Sequence, residues 1–108
     1  MLELINLMKL NISTSEVKLT PDIQEVIDKK FTPKLEKYLH NVDPDLKEGN
    51  LRLSYGDRFG FKAKFEMTLP GNIVVVAEEE HKELAFAITA LAKEVARRLR
   101  REKEKRVN

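Results

Sequence analysis

The residues of this chain that could do chemistry are cations at helical spacing. Lys30, Lys34 and Lys37 stand at i, i+4 and i+7, Lys93, Arg97 and Arg100 repeat that spacing near the C-terminus, and Arg98, Arg101 and Lys105 form a third row. Such steps put side chains on one face of a helix. From Lys93 to Arg106 there are eight Lys/Arg and three Glu, a net of +5. The rest of the chain holds twelve basic and fifteen acidic residues, so the overall +2 hides a charge gathered at one end. A helix C-terminus is complemented by one or two bases, and Glu94–Arg98 and Arg98–Glu102 are ordinary i,i+4 pairs. Neither accounts for eight bases in so short a stretch. The pattern predicts contact with the phosphates of a polyanion.

Other chemistry finds little support. Without cysteine there is no disulfide, thiolate nucleophile or Cys-ligated zinc, which fits a reducing cytoplasm. His40 and His81 sit at the ends of predicted elements without ligand-spaced partners, and read as surface residues. Glu78-Glu79-Glu80-His81 could offer metal ligands, but carboxylates at a helix N-terminus, favoured by its dipole, explain the cluster more simply. Ser13, Thr14 and Ser15 fall in a predicted turn with no Gly-rich elbow, and the four scattered glycines form no phosphate loop. We expect no catalytic residue, no metal, no cofactor and no small-molecule substrate. Arg58-Phe59-Gly60-Phe61…Phe65 is similar to the strand signature of RNA-recognition motifs, in which aromatics stack on bases. The glycine expected before the first aromatic is missing, and the third aromatic falls one position late. These phenylalanines are therefore expected in the core.

The elements that must position the cations follow from periodicity. Leu84, Ile88, Leu91, Val95 and Leu99 form one apolar stripe in an Ala-rich, Gly- and Pro-free segment, predicting a helix from Leu84 to Arg106. Thr20-Pro21-Asp22 is a helix start, with Thr20 as cap, Pro21 at the first position and Asp22 favoured by the dipole. Ile23, Ile27, Phe31, Leu35 and Tyr38 continue it to about Leu39. Pro33 lies inside, where proline removes a hydrogen bond and clashes with the preceding turn. A bend near Thr32-Pro33 is expected, with Thr32 capping the second segment. Strands are predicted over the alternation from Leu2 to Ile12, clearest at Lys9–Ile12, at Leu51–Tyr55, at Phe59–Leu69 and, as a more buried β-branched run, at Ile73–Ala77. HNVDPDLKEGN reads as a loop, Gly56-Asp57 and Pro70-Gly71 as turns. The order β-α-β-β-β-α describes an α+β two-layer sandwich with an antiparallel meander. The sheet face bearing Arg52, Lys62 and Lys64 is left for solvent or contact.

At 108 residues, 35% charged and 42% hydrophobic, the chain makes one globular domain, residues 1–108, with a basic helix end or tail at 101–108. No apolar run approaches a membrane span, and no signal peptide is readable. Because each helix's apolar stripe is needed to cover the sheet, a monomer is expected.

Taken together, several stretches resemble the ribosome hibernation promoting factor family, also described as ribosome-associated translation inhibitors or subunit-interface proteins. They are MKLNIS from Met8, LTPDIQEVIDKKFTPKLEKYL from Leu19, VVVAEEE from Val74, and the AI…RRLRREKEK helix. The resemblance implies a four-stranded sheet with two roughly parallel helices on one face. It implies binding to the small ribosomal subunit and its ribosomal RNA, in the mRNA/tRNA channel at the A and P sites. Such occupancy inhibits translation and preserves idle ribosomes under stress, in a bacterial-type cytoplasm, without catalysis. Lys30, Lys34 and Lys37 fall in the family's basic first-helix motif, and Arg97, Arg100 and Arg101 match basic positions of its last helix. With Lys93 and Arg98 these are the expected rRNA contacts.

The chain departs from the family pattern in places. Pro33 interrupts the first helix. The usual tyrosine in the last helix's first turn is replaced around Ala85-Phe86, and Glu94 stands where lysine is common. Residues 1–7 precede the usual start and read as an N-terminal extension. The sequence stops after the basic helix, as in a short form without the dimerising second domain. Two other readings compete. A double-stranded-RNA-binding module would carry its lysines at the start of the last helix, which here is Glu78 to Glu83. A protein–protein adaptor would act through the open sheet face.

Overall fold

The computed structural model describes residues 8–107; the predicted extension at 1–7, with the part of the first predicted strand that begins at Leu2, lies outside the described residues. In chain order the elements are β1 (Lys9–Thr14), α1 (Pro21–Val26), a π-helical turn (Ile27–Phe31), α2 (Thr32–Glu36), a 3₁₀ turn (Pro44–Leu46), β2 (Glu48–Tyr55), β3 (Phe61–Leu69), β4 (Ile73–His81) and α3 (Leu84–Val107). The sheet order is β1-β2-β3-β4. β1 pairs parallel to β2, and the other pairs are antiparallel. The helices cover one face, giving the expected two-layer sandwich. Its core runs from Ile27, Phe31, Leu35 and Leu39 through Leu51, Leu53, Phe65 and Met67 to Ile88, Leu91 and Val95. Phe31 meets Phe65 edge-to-face at 5.4 Å, joining helix layer to sheet.

The first helix starts as its sequence directs: the Thr20 hydroxyl accepts from the Ile23 N–H at 3.3 Å, with Pro21 at the first position. Its middle differs from expectation. There is no break capped by Thr32; instead the Thr32 N–H donates to the Ile27 carbonyl, five residues back. The reason lies in the apolar spacing. Ile27, Phe31, Leu35 and Leu39 are buried at steps of four. In a plain α-helix each such step drifts about 40° around the axis, so three would rotate the stripe by about 120°. A wider π turn takes up that excess and keeps the four side chains on the sheet. It also brings Pro33 into the first turn of α2, where its missing N–H does little harm.

Gly49, read as part of a loop, lies inside β2. A Cβ there would fall 2.5 Å from the buried Phe65 ring and 2.9 Å from Met8 Cε, so the strand has glycine where these side chains cross it. Phe59 is not core. β3 begins only at Phe61, because Gly60 takes φ +71° and turns the chain against the His81 carbonyl, leaving Phe59 65% exposed in the preceding loop. Phe61 is partly buried and Phe65 fully so. Ser13 and Thr14 belong to β1 rather than to a turn.

The largest correction concerns Glu78-Glu79-Glu80-His81, which end β4 and do not head the last helix. The register explains it: Glu78 faces Lys64 and Glu80 faces Lys62, so the acids pair across strands. β4 is accordingly one-sided, with Val75 and Ala77 buried and Val74 and Val76 exposed. One buried charge had no place in the sequence reading. Lys47, 2% exposed, puts Nζ 3.0 Å from Glu36 Oε1. Glu36 Oε2 accepts the Met8 N–H, so a single carboxylate ties the end of α2 to the starts of β1 and β2.

Candidate nucleic-acid interface

The helix layer places the cations. Lys29, Lys30, Lys34 and Lys37 project from the π turn and the segment after it, and Lys93 with Thr89 from α3. With Pro33 they line an open groove of about 430 Å³ between the two helices. Because the π turn holds α2 in phase with the π segment, Lys30, Lys34 and Lys37 stay on one wall despite the proline. No acid lines this groove. Lys29 is bound at 2.7 Å to Glu25; among the described residues, Lys30, Lys34, Lys37 and Lys93 make no ion pair. Like charges at i,i+4 repel, and a concave wall of ammonium groups focuses positive potential. The groove is suited to an anion that bridges its walls. Lys29 and Thr89 escaped sequence reasoning, since only the packing of one helix against the other shows that Lys29 lies across from Lys93 and that Thr89 is on the groove side of α3.

The arginines of α3 divide between other surfaces. Glu94 grips two of them: its Oε2 lies 2.6 Å from Arg97 Nη2 and 2.8 Å from Arg98 Nε. Hydrogen bonds from Arg97 and then Arg98 hold the Glu94 carboxyl below its ordinary range, and the same contact raises Arg97. Arg98 and Arg101 turn toward β4, where with Lys105, Val74, Val75 and Glu102 they line a shallow hollow of about 110 Å³. Arg100 is exposed, 3.9 Å from Glu104, and Lys105 lies 3.5 Å from Glu102. Of the eight predicted contacts, Lys30, Lys34, Lys37 and Lys93 therefore converge, Arg98 and Arg101 share the flank of α3 beside β4, and Arg97 and Arg100 are exposed outside the groove's lining.

The open sheet face has a different character. By register it carries Lys9, Arg52, Lys62 and Lys64 against Glu48, Glu66, Glu78 and Glu80, four of each sign. Lys62 is hydrogen-bonded to Asp57 at 3.0 Å and faces Glu78 and Glu80, which together raise its pKa. A neutralised face gives a polyanion little to hold, which leaves the helix layer as the basic surface. Among the described residues no group of three or more His, Cys, Asp or Glu is placed to hold a metal ion. His40 caps a helix end, its Nδ1 3.1 Å from the Lys37 carbonyl.

Two solved structures share this architecture. The N-terminal domain of Thermus thermophilus Protein Y matches with a TM-score of 0.66 at 22% identity, over 87% of this chain and 98% of that one. A ribosomal subunit interface protein from Coxiella burnetii matches with a TM-score of 0.66 at 17% identity, over 90% and 99%. Comparison with curated proteins returns no match. The profile of the Sigma 54 modulation protein / S30EA ribosomal protein family matches residues 10–107. With that profile spanning nearly all of the sequence, from β1 to the end of α3, the chain belongs to the Sigma 54 modulation protein / S30EA ribosomal protein family.

Proposed function

We propose that this protein is a ribosome hibernation factor. It binds the small ribosomal subunit in the mRNA/tRNA channel, at the A and P sites, where it inhibits translation and preserves idle ribosomes under stress. The observation that carries this reading is the acid-free groove, where Lys30, Lys34, Lys37 and Lys93 face one another from two helices. Family membership supplies the ribosome as the source of phosphate. In this reading the lysine groove grips the RNA backbone, and Arg97, Arg98, Arg100 and Arg101 extend the contact along α3. Binding of this kind is electrostatic, positions the protein without reading sequence, and releases counterions.

Cosedimentation tests it. Purified protein mixed with small subunits should travel with them at low salt and be released steeply as salt rises. Changing Lys30, Lys34, Lys37 and Lys93 together to Ala should release it at low salt, and changing Arg97, Arg98, Arg100 and Arg101 should weaken binding further along the gradient. A wild-type protein that stays at the top of the gradient while binding generic RNA duplexes would overturn the reading in favour of a duplex-binding module. Translation in vitro should fall in proportion to the ribosomes occupied.

A further inference from the structure

Phe86 is the feature of the basic surface that phosphate binding leaves unexplained. It lies in the first turn of α3, is 61% exposed, and has no part in the buried stripe of Leu84, Ala87, Ile88, Leu91, Ala92 and Val95. A lone exposed apolar residue is ordinary; the position of this one is not. Phe86, Thr89 and Lys93 stand at steps of three and four and so share a helix face, and Thr89 and Lys93 line the lysine groove. Phe86 thus stands just outside the groove's lining, on the α3 face that leads into it, about 4.5 Å along the axis from Thr89 and about 10 Å from Lys93. Every charged residue lining the groove beyond it is a lysine, whereas the ring itself is apolar. An uncharged group is favoured at the ring and phosphates farther down.

We infer that Phe86 is a stacking platform for one unpaired nucleobase of a single-stranded RNA segment, whose backbone phosphates run down the groove to Lys30, Lys34 and Lys93. An aromatic face beside a basic groove is the composition by which proteins hold single strands without reading sequence. A duplex does not satisfy it, because a paired base offers no free face to the ring. The inference rests on the groove being the RNA site, and extends it by requiring a splayed base there.

The chain has no tryptophan, so Phe86→Trp supplies a single fluorophore at the site. An octameric oligoadenylate RNA should quench it, and an abasic RNA of the same length should not. Phe86→Ala and Phe86→Leu should each weaken oligoadenylate binding by about tenfold without changing its salt dependence. Against the abasic strand, these variants and the wild type should bind alike. Since Phe86 is exposed, its variants should keep the wild-type melting temperature, which is the check on folding. Lys93→Ala should reduce the salt slope by about one. If Phe86→Ala binds oligoadenylate as tightly as wild type, or weakens intact and abasic strands equally, the platform is overturned. The lysine groove survives that result if Lys93→Ala still lowers the slope. If neither variant matters, both readings fall.

Discussion

Glu94 is the sole acid between Lys93 and Arg101, and it holds two arginines. At the scale of a residue this makes it a brake on the proposed binding, in which Arg97 and Arg98 would exchange a carboxylate for a phosphate. Glu94→Gln keeps the size and removes the charge. It should raise affinity for small subunits severalfold and steepen the salt dependence, both measurable by cosedimentation across salt. The sign of the pH effect follows from the lowered Glu94 pKa. A carboxyl whose folded value lies below its unfolded one stabilises fully above the unfolded value and loses that contribution as pH falls through the folded one. The clamp is complete at neutral pH, and only acid opens it. Wild-type binding, corrected for the groove lysines by comparison with Glu94→Gln, should therefore be flat near neutrality and converge on the variant's only in acid.

A second residue-scale expectation concerns Glu36, which serves both the buried Lys47 ammonium and the Met8 N–H. Removing one partner of a buried pair costs about 3 kcal/mol, whereas exchanging a buried charge for an apolar chain of similar volume is often neutral. Glu36→Ala should lower the denaturant midpoint sharply, and the double variant Glu36→Leu, Lys47→Met should recover most of the loss. A double variant as unstable as Glu36→Ala would show that the pair is worth more than its desolvation.

At the scale of elements, legibility tracked how local the cause was. The long helix was readable because Leu84, Ile88, Leu91, Val95 and Leu99 carry their own period, and all are buried. The Thr20 cap was readable because its partner is three residues away. What escaped depends on distant neighbours. Glu78 and Glu80 look like the head of a helix until the lysines of β3 are set opposite them. Gly49 looks like loop punctuation until the Phe65 ring lies across it. In the candidate site the basic rows were legible as rows, but not which of them meet. That Lys29 joins the groove while Arg98 and Arg101 turn to β4 is set by helix packing, which no spacing rule contains. Gly49 gives the element-scale test. Gly49→Ala forces a methyl against a fully buried ring, and overpacking of that kind costs about 1–3 kcal/mol. The denaturant midpoint should fall with an unchanged slope. Pairing the change with Phe65→Leu, which removes the obstructing ring, should cost less than the sum of the two single changes.

The whole molecule sorts its charge by layer. The sheet's open face is balanced, and the helix layer holds the net positive charge. Association should therefore be directional: the field steers the helix side toward RNA and gives the sheet side no competing attraction. Charge reversal on the sheet face, Lys64→Glu, should leave the ribosome association rate nearly unchanged at low ionic strength, whereas Lys34→Glu should reduce it severalfold. Stopped-flow rates at two salt concentrations would separate the cases, and equal sensitivity at both positions would mean that the sheet also takes part.

The π turn has a consequence for how this chain tolerates changes in length. A π turn is an α-helix holding one residue too many for its pitch, and here the surplus lies within Ile27–Phe31. Deleting Lys29 would turn the first of the four-residue steps between buried side chains into a three. Plain α-helical winding could then satisfy the stripe with every later apolar residue still on the sheet. The fold should survive the deletion with little loss of stability. Of the groove lysines only Lys29 would be lost: Lys30, Lys34 and Lys37 all lie downstream, keep their spacing to Phe31 and Leu35, and so stay on one wall. A chain one residue shorter here would be a sound domain with one cation fewer in its groove, so this helix should tolerate the loss of a codon while the rest of its lysine wall stays in place.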